Sequence, residues 1–290
     1  MKVRIFQKGF NYSQDGTGNR LVYHLQGCNL KCPWCANPEG MPPEGALLRE
    51  GDGPLKDTTC PFGAIKNGTL SLSLCKGCKS RACVSECGET GLRLSDTESR
   101  VEEILHEISR CRPMFYDEGG VTFTGGEPTL QFEALKSLLE GCRRIGIHTT
   151  IETNATSPFL PKLFPLIDQL IMDFKHYDGE KHLAATGALN DTVKKNLKLA
   201  FGHHPNVHIR IPVIGGFNNS PQDIESFADF FRRCDPGNAA FEALAYHEFG
   251  KVKWEQCGWE YLMKDAFVSP ETMKAFETVF TGRGLRYEHT

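Results

Sequence analysis

Three cysteines crowd one short run, Gly27-Cys28-Asn29-Leu30-Lys31-Cys32-Pro33-Trp34-Cys35. Thiolates at this density suit a metal. A cubane [4Fe–4S] cluster normally takes four thiolates, so three leave one iron open. Open coordination positions are where metal sites do chemistry rather than hold structure. A zinc site and a set of buried free thiols are the plainer alternatives. What separates the readings is whether further polar groups gather around the same point.

Several runs could supply them. Gly125-Gly126-Glu127-Pro128 follows the apolar stretch Val121-Thr122-Phe123-Thr124. Glycines let a backbone approach a ligand closely, and Glu127 could accept a hydrogen bond from a ligand ammonium. Glu152-Thr153-Asn154 and Asp173-Phe174-Lys175 could bind a ribose, a cation or a carboxylate, or could simply cap helices. Arg210-Ile211-Pro212-Val213-Ile214-Gly215-Gly216 comes next, and then Tyr246-His247-Glu248-Phe249-Gly250-Lys251-Val252-Lys253-Trp254.

The elements that must position these groups are legible as alternation. Strand-like runs cover Arg20–Leu25, Val121–Thr124, His148–Glu152, Gln169–Asp173, Val207–Val213 and Ala240–Tyr246. Helical periodicity covers Val101–Arg110, Leu130–Arg144, Asp191–Ala200 and Pro221–Arg232. Strand–helix alternation predicts a parallel sheet with crossover helices. About six units fit, fewer than the eight of a closed barrel. Ligands of such sheets sit at the carboxyl ends of the strands, and each polar run falls at such an end. On one helical stripe Cys142 accompanies Phe132, Leu135, Leu138 and Leu139, which marks it as a small core residue.

Bulk properties narrow the class. The 290 residues can bury a large core, and the net charge of −3 offers no basic patch for a nucleic acid or a membrane surface. The start, Met1-Lys2-Val3-Arg4-Ile5-Phe6, is too short and polar for a leader, and no apolar run reaches membrane-spanning length. A cytoplasmic protein is expected. Eight of the 12 cysteines lie between positions 28 and 87, and in a reducing compartment such clustering points to metal rather than disulfides. Residues 46–94 hold five of them, break the alternation and read as an inserted module.

The order of these motifs resembles the radical S-adenosylmethionine (SAM) superfamily, and within it the glycyl radical enzyme activating enzymes, of which the pyruvate formate-lyase activating enzyme is one. The resemblance spans nearly the full chain. It is carried by Asp15-Gly16-Thr17-Gly18-Asn19-Arg20, Cys28 to Cys35 with Asn37-Pro38-Glu39, Thr124 to Pro128, Asp173 to Lys175, Arg210 to Gly215 and Tyr246 to Trp254. It implies a partial (β/α)6 barrel of the TIM type from residues 1–45 and 95–290, with a small ferredoxin-like iron–sulfur insert at 46–94. It also implies that Cys28, Cys32 and Cys35 hold the SAM-binding cluster. Trp34, Gly125, Gly126, Glu127, Thr153, Asn154, Asp173, Lys175, Arg210 and His247 would then contact SAM. Glu152, Thr153, Met172 and Asp173 resemble a monovalent-cation site of some members, although Asp is commoner where Glu152 stands. Ala36 stands where His is frequent.

The insert resembles a bacterial ferredoxin module that has lost part of one cysteine run. Two ligand sets remain open for a second [4Fe–4S] cluster. Crossed ligation, as in two-cluster ferredoxins, uses Cys60, Cys75, Cys78 and Cys83 and is preferred. Local ligation uses Cys87 as the fourth ligand in place of Cys60. A structural zinc is the simpler alternative.

The reaction implied by the resemblance is reductive cleavage of SAM to a 5′-deoxyadenosyl radical. That radical takes a hydrogen atom from a backbone glycine of a partner glycyl radical enzyme, with no catalytic side chain needed beyond the cluster and SAM. The resemblance implies an anaerobic oxidoreductase, monomeric, reduced by a flavodoxin or ferredoxin. Alternatives are a radical SAM enzyme acting on a small molecule and a non-catalytic Fe–S electron carrier.

Overall fold

In the computed structural model the described residues are 1–11, 14–51, 55, 60, 62–75, 78, 81–86, 91–116 and 118–289. Strand β1 (Lys2–Asn11) turns back as β2 (Arg20–Leu25), the strand that delivers the cysteine run. A stretch of short elements follows: β3 (Leu47–Arg49), β4 (Ile65–Lys66), β5 (Thr69–Leu70), α1 (Ala82–Glu86), β6 (Leu92–Leu94) and β7 (Thr97–Arg100). Regular alternation then begins with α2 (Val101–Arg110), β8 (Gly120–Gly125), α3 (Phe132–Arg144), β9 (Thr149–Thr153) and β10 (Gln169–Asp173). It continues through α4 (Gly179–Thr186), α5 (Asp191–His203), β11 (Val207–Val213), α6 (Pro221–Arg233) and β12 (Ala240–Ala245). The last elements are α7 (Lys251–Gln256), α8 (Pro270–Gly282) and β13 (Arg286–Tyr287).

Nine strands form one sheet in the order β13-β12-β11-β10-β9-β8-β2-β1-β7. From β2 to β12 every neighbouring pair is parallel, and these six are the strands expected from the alternation. The strand β1 was not expected. It pairs antiparallel with β2 and with β7; Val3 and Ile5 join the main core while residues 7–10 are exposed, which gives it a mixed pattern. The helices begin where local chemistry says they should: Ser220 and Ser269 accept bonds from the Asp223 and Thr272 amides, each followed by a proline at the first helical position.

The two faces of the sheet differ. Tyr23, Phe123, Ile151, Met172, Ile209 and Phe241 point to the helices and join Leu135, Leu138, Leu139, Cys142, Phe227, Phe231 and Phe280 in one large apolar core. The other face is polar and buried: Arg20 bonds Thr122, Thr150 bonds Gln169, and Arg210 lies between Glu152 and Glu242. An isolated buried polar group is costly, so this face is built as a hydrogen-bonded ladder across the strands.

Between β2 and β7 the short elements make their own small core. Leu47, Leu55, Ile65 and Leu92 are buried there, with Cys75 and Cys83 packed against them. The strands β3 and β6 pair antiparallel at its two ends. Cys257 and Trp259, which follow α7, pack on Ala46 and Leu48 and tie this segment to the barrel. No helix among the described residues is long and apolar enough to cross a membrane.

Candidate active site

The carboxyl ends of the six parallel strands open onto a cavity of about 280 Å³. Cys28, Cys32, Cys35, Trp34, Gly125, Gly126, Glu152, Thr153, Asn154, Asp173, Lys175 and His247 all line it. Residues more than two hundred positions apart in sequence therefore meet at one point. Glu127, Met172 and Arg210 do not line it, and each has a structural reason.

The Glu127 side chain is fully buried. Its carboxylate accepts bonds from the Thr129 amide and hydroxyl, the Thr153 hydroxyl at 2.7 Å and the Asn154 amide at 2.7 Å. Burial pushes its carboxyl up and those hydrogen bonds oppose the shift. Glu127 thus pins the end of β9 to the end of β8 rather than facing the open space. Met172 lies on the helix side of β10, in the apolar core. Arg210 is buried in the inner ladder, 2.8 Å from Glu152 and 3.1 Å from Glu242. Burial alone would lower its pKa, but Glu152 and Glu242 outweigh it and raise the pKa. Glu152, whose carboxyl burial pushes up against the pull of Arg210, also accepts a bond from Thr124.

Glycine serves the cysteine loop in a way that the motif did not foretell. A Cβ on Gly126 would sit 2.2 Å from the Gly27 carbonyl oxygen and 2.7 Å from that of Gly40. The loop after β8 is thereby pressed against the loop after β2, and the Glu127 amide bonds the Gly27 carbonyl at 2.7 Å. Gly250 plays the same part from the far side, since its Cβ would lie 2.5 Å from the Cys35 carbonyl oxygen. Next to it the Trp254 indole donates to the Cys35 carbonyl at 3.0 Å, and Lys253 reaches Asn37 at 2.6 Å and Glu39 at 2.9 Å. The cysteine loop is clamped by the loop after β8 on one side and by residues 250–254 on the other.

The donor set suits a thiolate-held cluster. The Leu30 amide points at the Cys28 sulfur and the Asn37 amide at the Cys35 sulfur, each at 3.4 Å, with the side-chain Nδ2 of Asn154 3.8 Å from the Cys28 sulfur. Such N–H groups are among the levers that tune iron–sulfur clusters. Burial pushes the three thiols up to about 12, so ligation there releases protons. Lys175, 2.9 Å from Asp173, has its pKa raised by Asp173 and Cys32 against the opposing effect of burial. Among the described residues no three His, Cys, Asp or Glu side chains surround a single ion. A cubane spreads its ligands over several irons and does not require that convergence.

Around the rest of the cavity Trp34 packs on Phe217 with ring centroids 5.0 Å apart. Ala36 contributes only a methyl group. Asp15, His24, Leu244 and Tyr246 also line the space although the sequence reading gave them no site role. Alternation along β2, with Tyr23 in the core and His24 on the opposite face, was the signal for His24. In the insert, burial raises the Cys75 pKa, and Cys60 and Cys78 lie near enough to raise it further. Cys83 packs on the same small core as Cys75, and Cys87 lies outside the described residues.

Comparisons with known proteins bear on the family and the fold. The sequence model of the radical SAM superfamily matches residues 22–231. The chain is 34% identical to the 4-hydroxyphenylacetate decarboxylase activating enzyme of Clostridioides difficile strain CD196, over 93% of this chain and 90% of that one. It is 33% identical to the choline trimethylamine-lyase activating enzyme of Oleidesulfovibrio alaskensis, over 85% of this chain and 84% of that one. Among solved structures, a radical SAM methyltransferase from Sphaerobacter thermophilus superposes with a TM-score of 0.56 at 13% identity, covering 96% of this chain and 67% of that one. That likeness concerns the fold.

Proposed function

The chain belongs to the radical SAM superfamily, and within it to the activating enzymes of glycyl radical enzymes; on that premise we propose the following division of labour among its residues. A [4Fe–4S] cluster and SAM belong with the family. Together they supply one-electron cleavage of the SAM C5′–S bond and the 5′-deoxyadenosyl radical that takes hydrogen from a backbone glycine of the partner. The protein positions them and excludes water.

Cys28, Cys32 and Cys35 would hold the cluster. Gly125, Gly126, Thr153, Asn154, Asp173, Lys175, Trp34 and His247 surround SAM, with Lys175 and Asp173 supplying fixed charges. Glu127 and Arg210 act one step back: Glu127 holds the ends of β8 and β9 together, and Arg210 holds Glu152 and Glu242 in the inner ladder. Glu152 is committed to Arg210 and Thr124, so this reading leaves its carboxylate out of the monovalent-cation site that the resemblance suggests. Thr153 and Asp173 keep the SAM role alone.

The observation that carries the reading is the convergence of the triad with polar groups from five of the six strand ends on one cavity. A pure electron carrier has no use for such a pocket. A protein-sized substrate, rather than a small molecule, is supported by the rim. Phe249 and Phe267 are 79% and 63% exposed there, in ring contact with the cavity-lining His247 and Tyr246. Large exposed aromatics beside a cavity mark a docking surface.

In the insert, Cys60, Cys75, Cys78 and Cys83 are our ligands for a second [4Fe–4S] cluster, supported by the proximity of Cys60 to Cys75. That cluster would pass electrons from a flavodoxin or ferredoxin. The test is anaerobic reconstitution followed by SAM and reductant. We expect 5′-deoxyadenosine, and a glycyl radical signal in electron paramagnetic resonance (EPR) when 4-hydroxyphenylacetate decarboxylase or choline trimethylamine-lyase is added. 5′-Deoxyadenosine without a radical in any glycyl radical enzyme would return the chain to small-molecule chemistry.

A further inference from the structure

The sheet has two ends that do not meet. Among the described residues no strand pairing joins the β13 edge to the β7 edge, yet β2 and β12, the outermost of the six main strands, contribute His24, Leu244 and Ala245 to the same cavity. His24 stands on the β2 wall of that cavity.

His24 is unusual among the cavity residues because, among the described residues, its buried Nδ1 has no hydrogen-bond partner. The ring sits near Phe6, centroids 5.5 Å apart, and in register with Thr124, whose hydroxyl is already given to Glu152. Burial lowers its pKa, Asp15 works against that shift and Lys253 adds to it, so the ring is neutral near pH 7. A neutral imidazole carries one N–H and one bare nitrogen. With no acceptor beside the enclosed Nδ1, the proton belongs on Nε2 and Nδ1 is left bare. The chain thus holds an uncommitted donor on the wall of its reaction cavity.

The level at which it sits separates it from the groups around SAM. Gly125, Gly126, Thr153, Asn154 and Lys175 lie at or beyond the strand ends, whereas His24 and its partner Thr124 stand within the strands, one residue before those ends. A backbone glycine has no side chain to grip. Its position must be set through main-chain carbonyls and amides, and an N–H donor on the wall is the complement of a carbonyl.

We propose that His24 is a substrate-binding residue, its Nε2–H donating to a main-chain carbonyl of the glycine-bearing loop. This rests on the activating-enzyme reading above and deepens it. The loss of one neutral hydrogen bond corresponds to a change of roughly three- to tenfold in an equilibrium constant.

The test compares His24→Phe, which keeps a ring without a donor, with His24→Gln, which keeps an N–H. The partner is the glycyl radical enzyme that the parent chain activates in the EPR assay. For His24→Phe the KM for that enzyme should rise about three- to tenfold. The fraction of 5′-deoxyadenosine formed without a matching glycyl radical should rise with it, while the KM for SAM moves less than about twofold. His24→Gln should recover most of the partner KM. A rise in the SAM KM that matches or exceeds the partner effect would place His24 in the SAM pocket and overturn the proposal. Equal partner KM values in all three proteins would overturn it as well. If the parent chain raises no glycyl radical in any partner, the activating-enzyme reading fails and this one with it, which is a different result from a parent that works and a His24→Phe variant that works equally.

Discussion

Two regions of this chain carry cysteines at ligand spacing, and they are built in opposite ways. The loop with Cys28, Cys32 and Cys35 is held by main-chain bonds that owe nothing to a metal: Gly27 to Gly40, Cys28 to Met41, Glu127 to Gly27, and the Trp254 indole to Cys35. Behind it stands the largest core in the protein. Among the described residues, the segment with Cys60, Cys75, Cys78 and Cys83 rests on a small cluster of Leu47, Leu55, Ile65 and Leu92 and on strands of two or three residues. A cluster of that size supplies little stability. In the first region the fold makes the metal site; in the second the metal should help to make the fold, because binding free energy there is also folding free energy.

The strongest way to break that contrast is Cys32→Ala. We expect loss of 5′-deoxyadenosine formation to background, since two thiolates cannot hold a cubane with one iron open, while the thermal midpoint of the metal-free protein stays near the parent's. Normal SAM cleavage after anaerobic reconstitution would remove the triad from the chemistry.

Next in size is iron. The reconstituted parent should carry about eight Fe, and Cys60→Ser about four. The variant should keep SAM cleavage with a strong chemical reductant and weaken with a protein reductant. Limited proteolysis sharpens the same point: cuts in the metal-free parent should fall between residues 46 and 94, and reconstitution should suppress them. Cuts spread over the barrel instead would show that both regions depend on metal.

A smaller effect is expected at Glu127. Glu127→Gln replaces one carboxylate oxygen with a donor facing donors, at a cost of about 1–3 kcal/mol. That should read as a fall in the thermal midpoint. A larger effect on SAM affinity than on stability would instead make Glu127 a ligand contact. The smallest effect belongs to Cys87→Ser, which should leave iron content and activity nearly unchanged. A drop equal to that of Cys60→Ser would replace crossed ligation with local ligation.

The six parallel strands were readable because each is a short β-branched or apolar run bounded by polar residues, and such runs leave little choice of conformation. Chemistry at their carboxyl ends followed from the cysteine spacing and from where polar residues interrupt the runs. Strand β1 escaped notice because its charged, half-exposed sequence carries no strong period. Glu127 looked like a ligand because a carboxylate after two glycines is a common way to meet one; only the packing of β8 on β9 shows that Thr129, Thr153 and Asn154 have taken it. His24 looked like any strand residue.

Sequence by itself determined the ligand types, their spacing and the order of the strands, all of which are local or sequential properties. Which side chains were already satisfied, and which faced the cavity with bonding capacity left over, was decided by tertiary structure alone. Hydrogen-bond capacity is spent on neighbours in space, and those neighbours can be distant in the chain: Arg210 and Gln14 are 196 residues apart, Lys253 and Asn37 216.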